Sequence, residues 1–297
     1  MTQGIISGLK RFEIHDGDGI RTTVFLKGCP LRCVWCHNPE NLSSRPELMY
    51  FQDKCIGCQL CAAVCGNHSF SGKIHTIHRE TCVSCGKCAQ VCPANALSVA
   101  GEAITPQALL PRLLEDRMFF DASGGGVTLS GGEPLAQPEF ATEVLRLLKA
   151  EGIHTALDTC LFASRKTLEG VLPWTDLFLV DIKAMDSGLH QRCTGVPNGP
   201  ILENIRYLDQ TGAAMEARIP FVPGWNADQI GPIADFLASL RHPPKVKLLP
   251  YHDYGNAKLE RLGKEITKIT PPDPAQIRSA LSILHQRGLD AVNGAAL

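Results

Sequence analysis

Beyond about residue 100 the chain alternates between short aliphatic and β-branched runs and longer stretches whose apolar positions recur every three or four residues. The short runs predict strands over Gly126–Leu129, His154–Leu157, Leu177–Asp181, Ala214–Ile219 and Val246–Pro250, with an earlier strand at Thr22–Leu26. The longer stretches predict helices. Thr105–Glu115 opens with Thr105 as N-cap and Pro106 behind it, and Glu139–Glu151 gathers Phe140, Val144, Leu147 and Leu148 on one face. Arg165–Leu172, Ile201–Thr211 and Ile230–Leu240 complete the series. Strands alternating with helices predict an α/β fold around a parallel sheet, with functional groups at the C-terminal ends of its strands.

Charge narrows the function. The 297 residues carry 29 basic and 30 acidic side chains, a formal net charge of −1. A general attraction to nucleic acid or an anionic membrane is therefore not expected. Apolar residues make up 44%, enough for a sizeable core, and no run approaches the roughly 18 apolar residues of a spanning helix. Met1 to Arg11 lacks the cationic start and apolar run of a secretory signal. The outlier is cysteine, with 13 copies, of which 11 lie between Cys29 and Cys92. Disulfides suit small secreted domains, not a long chain with an odd count and thiols repeating every third residue. The expectation is a reducing, cytoplasmic compartment.

Cys55, Cys58, Cys61 and Cys65 read C-x2-C-x2-C-x3-C, and Cys82, Cys85, Cys88 and Cys92 repeat that pattern 27 residues later. Two-cluster bacterial ferredoxins hold a pair of [4Fe–4S] cubanes with this run, the fourth cysteine of each ligating the other cluster. The expected cages are Cys55, Cys58, Cys61 and Cys92, then Cys82, Cys85, Cys88 and Cys65. Structural zinc is the competing reading, but its C-x2-C halves are usually separated by a longer loop. Pro93 follows the second run as the motif favours; Gly66 stands in that place after the first.

Cys29, Cys33 and Cys36 form a different group, C-x3-C-x2-C. Three thiolates on a four-iron cube leave one iron open for a non-protein ligand, by the logic of catalytic zinc. The alternative is a zinc site completed by His37.

The run from Cys29 to Cys36, with Trp35 before the last thiol, resembles the signature of radical S-adenosylmethionine (SAM) enzymes. His15-Asp16-Gly17-Asp18-Gly19-Ile20-Arg21 precedes it, the eight-cysteine insert follows, and then come Ser123-Gly124-Gly125-Gly126 and Ser130-Gly131-Gly132-Glu133-Pro134. That order is similar to the glycyl-radical-enzyme activating enzymes, from about Gly8 to about Gly263. Asp18 departs from the family's usual proline.

The resemblance implies a partial (β/α)6 barrel, residues 1–47 and 100–297, interrupted by a ferredoxin-like insert at 48–99. It implies three [4Fe–4S] clusters, SAM and a monovalent cation. Gly131, Gly132 and Glu133 would meet the SAM amino group, and Asp181, Ile182 and Lys183 its carboxylate and ribose. Asp158, Thr159 and Asp181 would form the cation site. Arg218 and His252 match positions near SAM, and Trp35 and His37 flank the last cluster thiol. Trp35 either stacks on the adenine or belongs to the core; Asp158 alone also reads as a solvated rim charge, and a lone histidine such as His252 is more often structural. Asp16 matches a position that contacts the partner's glycine loop. Cys160 and Cys193 read as isolated buried thiols.

The implied activity is reductive SAM cleavage, the 5′-deoxyadenosyl radical taking hydrogen from a glycine of a partner glycyl radical enzyme. Flavodoxin or ferredoxin would be the electron donor, with the insert as relay, docking surface or staple. A radical SAM enzyme of small molecules and a plain electron carrier are the rival classes. The latter leaves the three-cysteine loop unexplained.

Overall fold

A computed structural model describes residues 2–295. Strand β1 (Gly4–Glu13) runs antiparallel to β2 (Arg21–Leu26), whose side chains are almost all buried. The chain then leaves the sheet for the cysteine-rich segment. There β3 (Glu47–Tyr50) is followed by α1 (Leu60–Val64), the hairpin β4 (His68–Ser71) and β5 (Ile74–Ile77), α2 (Lys87–Gln90) and β6 (Leu97–Ala100). β3 and β6 pair antiparallel from Glu47 opposite Ala100 to Tyr50 opposite Leu97, so the segment leaves and returns at adjoining points.

Strand β7 (Glu102–Ile104) then adds to the free edge of β1. Helices α3 (Pro106–Leu114) and α4 (Arg117–Ser123) lead to β8 (Gly126–Gly131), and α5 (Pro138–Ala150) to β9 (His154–Thr159). The alternation continues through α6 (Arg165–Val171), β10 (Leu177–Asp181), α7 (Ser187–Thr194), α8 (Gly199–Thr211), β11 (Met215–Phe221), α9 (Ile230–Ala238) and β12 (Lys245–Pro250). Helices α10 (Tyr254–Arg261) and α11 (Pro274–Gln286) precede a short edge strand, β13 (Ala291–Asn293).

The sheet runs β13-β12-β11-β10-β9-β8-β2-β1-β7, with every pairing from β2 through β13 parallel. It is an open, partial barrel: six main parallel strands, β2 and β8 to β12, with helices outside. Its core joins Val24, Leu129, Phe178 and Leu248 from the strands to Phe140, Leu145, Ile205 and Leu237 from the helices. Thr105 caps α3 as expected, its hydroxyl accepting from the Ala108 N–H at 3.2 Å. Among the described residues no helix is long and apolar enough to cross a membrane.

Sequence reading left several elements out. β1 carries Gly8, Lys10 and Arg11, is half exposed along its second half, and is held by pairing on both edges. α11 follows a capping box that was there to be read: Asp273 accepts from the Ala275 and Gln276 N–H groups at 2.8 Å, while the Gln276 side chain accepts from the Asp273 N–H at 2.9 Å. β8 and β11 run two residues further than expected, because β8 pairs with β2 through Gly131 and β11 with β12 through Phe221.

Within the cysteine-rich segment the two runs fold alike. Each third cysteine, Cys61 and Cys88, is buried on a one-turn helix entered from a left-handed residue, Gln59 (φ 63°) or Gly86 (φ 80°). Both pack with Leu48 and Leu97 into a small separate core. Arg79 ties this unit to the barrel, donating to the Leu48 carbonyl at 2.6 Å and the Arg261 carbonyl at 2.8 Å. Fully buried Lys27, one turn ahead of the cluster loop, reaches Glu47 at 3.2 Å.

Candidate active site

At the C-terminal ends of the parallel strands lies a cavity of about 210 Å³. Cys29, Cys33 and Cys36 line it from the loop that follows β2. That loop is fixed on two sides. The Gly28 and Cys29 amides donate to the Asn41 and Leu42 carbonyls at 2.8 and 3.2 Å, and the Arg32 and Val34 amides to the Thr194 and Cys193 carbonyls at 2.7 and 3.0 Å. Burial pushes the Cys29 and Cys33 thiols up to about 12 and Cys36 to about 11, so three thiolates here call for a cation among them, which iron would be.

The glycine turn after β8 forms the opposite wall. A Cβ on Gly132 would come within 2.4 Å of the Asn41 and Gly28 carbonyl oxygens, and one on Gly131, at φ +116°, within 2.3 Å of the Leu26 backbone. Only glycine lets this turn sit directly against the cluster loop. Gly131 and Gly132 both line the cavity. Glu133 does not: it is 1% exposed, and its carboxylate accepts from the Thr159 hydroxyl and the Cys160 amide, each at 2.7 Å, and from the Leu135 amide at 3.0 Å. It ties β8 to β9 from behind, with burial pushing its carboxyl up.

Two cationic side chains close the polar half. Lys183, just past β10, donates to Asp181 at 2.6 Å, the same-side pair that their two-residue spacing suggests. Burial works against the Lys183 charge, yet Asp181 and the nearby thiols hold its pKa above the usual lysine value. Arg218, on β11, sits among three carboxylates: Asp16 at 3.1 Å, Glu216 at 3.4 Å and Asp158 at 3.5 Å. Burial, with Asp181 and Asp16 nearby, pushes Asp158 up to about 7 against the pull of Arg218, while Ser130 donates to it at 2.6 Å.

The remaining expected residues divide. Trp35 is 5% exposed, lines the cavity and also packs on Val222 and Tyr251. His37 lines the cavity, and His252 lies behind it, the rings stacked at 3.9 Å between centroids. His37 Nε2 and His252 Nδ1 are buried without a partner among the described residues. Ile182 is core. Asp158, Thr159 and Asp181 all reach the cavity, although the Thr159 hydroxyl is turned to Glu133. Asp16 is not free at the rim: Thr23 donates to it at 2.8 Å and Arg218 holds its other oxygen. Cys160, read from the sequence as isolated, is buried but lines the same cavity as Cys29; nothing in its local sequence signals this. Cys193 is fully buried beneath the cluster loop.

In the cysteine-rich segment, Cys55, Cys58, Cys61 and Cys92 line one small void, the grouping that the crossed-cysteine rule predicts.

Three thiols on the loop after β2, a glycine turn and the Asp181–Lys183 ion pair thus line one cavity. The chain matches the radical SAM superfamily over residues 23–237. It is 41% identical to the trans-4-hydroxy-L-proline dehydratase activating enzyme of Clostridioides difficile, over 88% of both chains. It is also 41% identical to the benzylsuccinate synthase activating enzyme of Thauera aromatica, over 88% of this chain and 82% of that one. A solved domain of the pyruvate-formate lyase-activating enzyme from Bacteroides vulgatus superposes with TM-score 0.51 at 40% identity, covering 58% of this chain and all of that one. The protein is therefore a radical SAM enzyme, whose family brings a [4Fe–4S] cluster and SAM. Within that class it belongs to the glycyl-radical-enzyme activating enzymes.

Proposed function

We propose that this cavity is where the chain holds a cluster on Cys29, Cys33 and Cys36 beside SAM, and that it activates one partner glycyl radical enzyme. The carrying observation is that three thiols, the glycine turn and the Asp181–Lys183 pair line one cavity although they lie up to 154 positions apart in sequence (183 − 29 = 154). When bound, the cluster and SAM supply a 5′-deoxyadenosyl radical that removes a hydrogen from a glycine of the partner.

The chain's own work is positioning. Gly131 and Gly132 offer backbone to the ligand's amino group, and Lys183 offers an ammonium to its carboxylate. Asp158 and Asp181 concentrate negative charge where a monovalent cation would sit beside that carboxylate. Arg218 restrains Asp158 and Asp16, and His37 lines the same space. Trp35 and Tyr251 give the cavity an apolar wall that excludes water from the radical's path.

The two four-cysteine runs hold two further [4Fe–4S] clusters, giving three, and pass electrons inward from a flavodoxin or ferredoxin. That unit is residues 48–99, set into the barrel of 1–47 and 100–297. The two relatives above match equally well yet are named for different partners, so overall identity does not select the partner.

The test is anaerobic reconstitution with iron and sulfide, then dithionite and SAM. The expected result is about twelve irons per chain, three cubanes of four, with 5′-deoxyadenosine formed by the wild type and not by Cys33→Ala. A fully loaded protein that makes none, even with its partner present, would overturn the reading.

A further inference from the structure

The two cysteine runs share their spacing and local fold, but among the described residues a histidine stands against the thiols of one group only. His75, on the hairpin strand β5, reaches into the void lined by Cys55, Cys58, Cys61 and Cys92. Its Nδ1 lies 3.9 Å from Cys55 Sγ and its Nε2 3.8 Å from Cys61 Sγ. Phe70 stacks on one face of the ring with centroids 4.4 Å apart and 7° between planes, and Tyr50 meets it edge-on at 4.8 Å. Nδ1 of buried His68 lies 2.8 Å from His75 Nε2.

This packing fixes the ring between two thiols. In either neutral tautomer one N–H faces a cysteine sulfur, Nδ1 towards Cys55 or Nε2 towards Cys61, and His68 Nδ1 holds the ring from the Nε2 side. No histidine contacts a thiol of Cys65, Cys82, Cys85 or Cys88 among the described residues.

We infer that His75, oriented by His68, donates a hydrogen bond to the thiolates of the cluster on Cys55, Cys58, Cys61 and Cys92 and raises its reduction potential above that of its twin. Hydrogen bonds to the sulfurs stabilise the more negative, reduced cluster, one of the established levers on these potentials. The inference rests on the reading of the two runs as cluster cages. It turns two equivalent-looking cages into an ordered pair, with electrons resting preferentially on the His75 side. His75 is thus a tuning residue, not a ligand, although Cys61, His68 and His75 also bring three ligand atoms within 4.8 Å of one another.

The experiment is a potentiometric titration followed by electron paramagnetic resonance on reconstituted full-length protein, with iron and zinc counted on each sample. His75→Phe keeps the ring on Phe70 and removes both nitrogens; His75→Gln returns an N–H. With twelve irons retained, His75→Phe should raise the oxidised-to-reduced ratio of one cluster about tenfold at the wild-type midpoint, about 59 mV for a one-electron couple. The shifted signal should be the one that Cys58→Ala removes, the other two clusters should stay in place, and His75→Gln should recover part of the shift. Unchanged potentials with twelve irons would overturn the inference alone. Loss of four irons in His75→Phe would make the ring structural, and one zinc per wild-type chain, absent from His75→Phe, would make it a ligand. Only four irons in the wild type would overturn the inference together with the cage reading beneath it.

Discussion

The barrel site and the cysteine-rich segment are built on opposite plans. In the barrel, the cavity draws on residues from Cys29 to Tyr251, supported by one extended sheet and a core spanning most of the chain. In the segment, the thiols come from two loops within 38 residues (92 − 55 = 37 intervals), over a core of Leu48, Leu97 and two of the cysteines themselves. The barrel buries charge: Lys183 and Arg218 are 7% and 5% exposed. The segment exposes apolar groups, with Ile56, Ile74 and Val83 each more than two-thirds uncovered. A large rigid frame can hold unlike groups in low dielectric, where each counts for more. A small loop-rich unit has too little core for that.

The sharpest contrast is at the thiols. Cys33→Ala should abolish 5′-deoxyadenosine formation, whereas Cys88→Ala should leave dithionite-driven cleavage at the barrel site largely intact while losing iron. Equal loss from both would mean that the segment is part of the catalytic frame, not separate from it. Next in size is Arg218→Leu, which strands Asp16 and Asp158 without their shared cation, while Glu216 keeps Lys247 at 3.1 Å. Removing one partner of a buried ionic group costs about 3–5 kcal/mol, readable as a fall in the urea midpoint. Adding Asp158→Asn should recover part of it.

Leu97→Ala probes the segment's own core. A buried leucine truncated to alanine costs about 2–5 kcal/mol, and here amide exchange should accelerate across residues 47–100 while β8 to β11 stay protected. Acceleration throughout would show one cooperative unit instead of two. Smallest is Gly132→Ala. Its methyl must displace the Gly28 or Asn41 carbonyl, an overpacking cost of about 1–3 kcal/mol, and SAM affinity measured by calorimetry should fall with it.

The same contrast explains what the sequence disclosed. The cysteine grouping was legible from the repeat of spacings, which sorted Cys55, Cys58, Cys61 and Cys92 together, and these four line one void. β10 was legible because both of its faces are buried, leaving Leu177 to Val180 an unbroken apolar run, and β12 because buried Val246 and Leu248 alternate with more exposed lysines. The ion-pair lattice around Arg218 was not, since Asp16 and Arg218 meet across 202 positions through strand order, which no local pattern encodes. Nor could spacing tell that Glu133 turns inward to brace Thr159 while its neighbours Gly131 and Gly132 face the cavity. Cys160 escaped for the same reason, a lone thiol brought beside Cys29 by the parallel pairing of β8 with β9.

The bend between β1 and β2 carries a further consequence. Fully buried Arg21 donates to the Asp18 carbonyl at 3.2 Å, Thr128 donates to the Asp16 carbonyl at 2.7 Å, and the Ile20 amide donates to Ser123 at 2.8 Å. The segment from Asp16 to Ile20 is thus held in shape before any other protein arrives. Ordering a residue costs about 1–2 kcal/mol; here that cost is met once, when the chain folds, and not at every encounter. Anything that binds at this bend meets a shape already set by Arg21, Thr128 and Ser123.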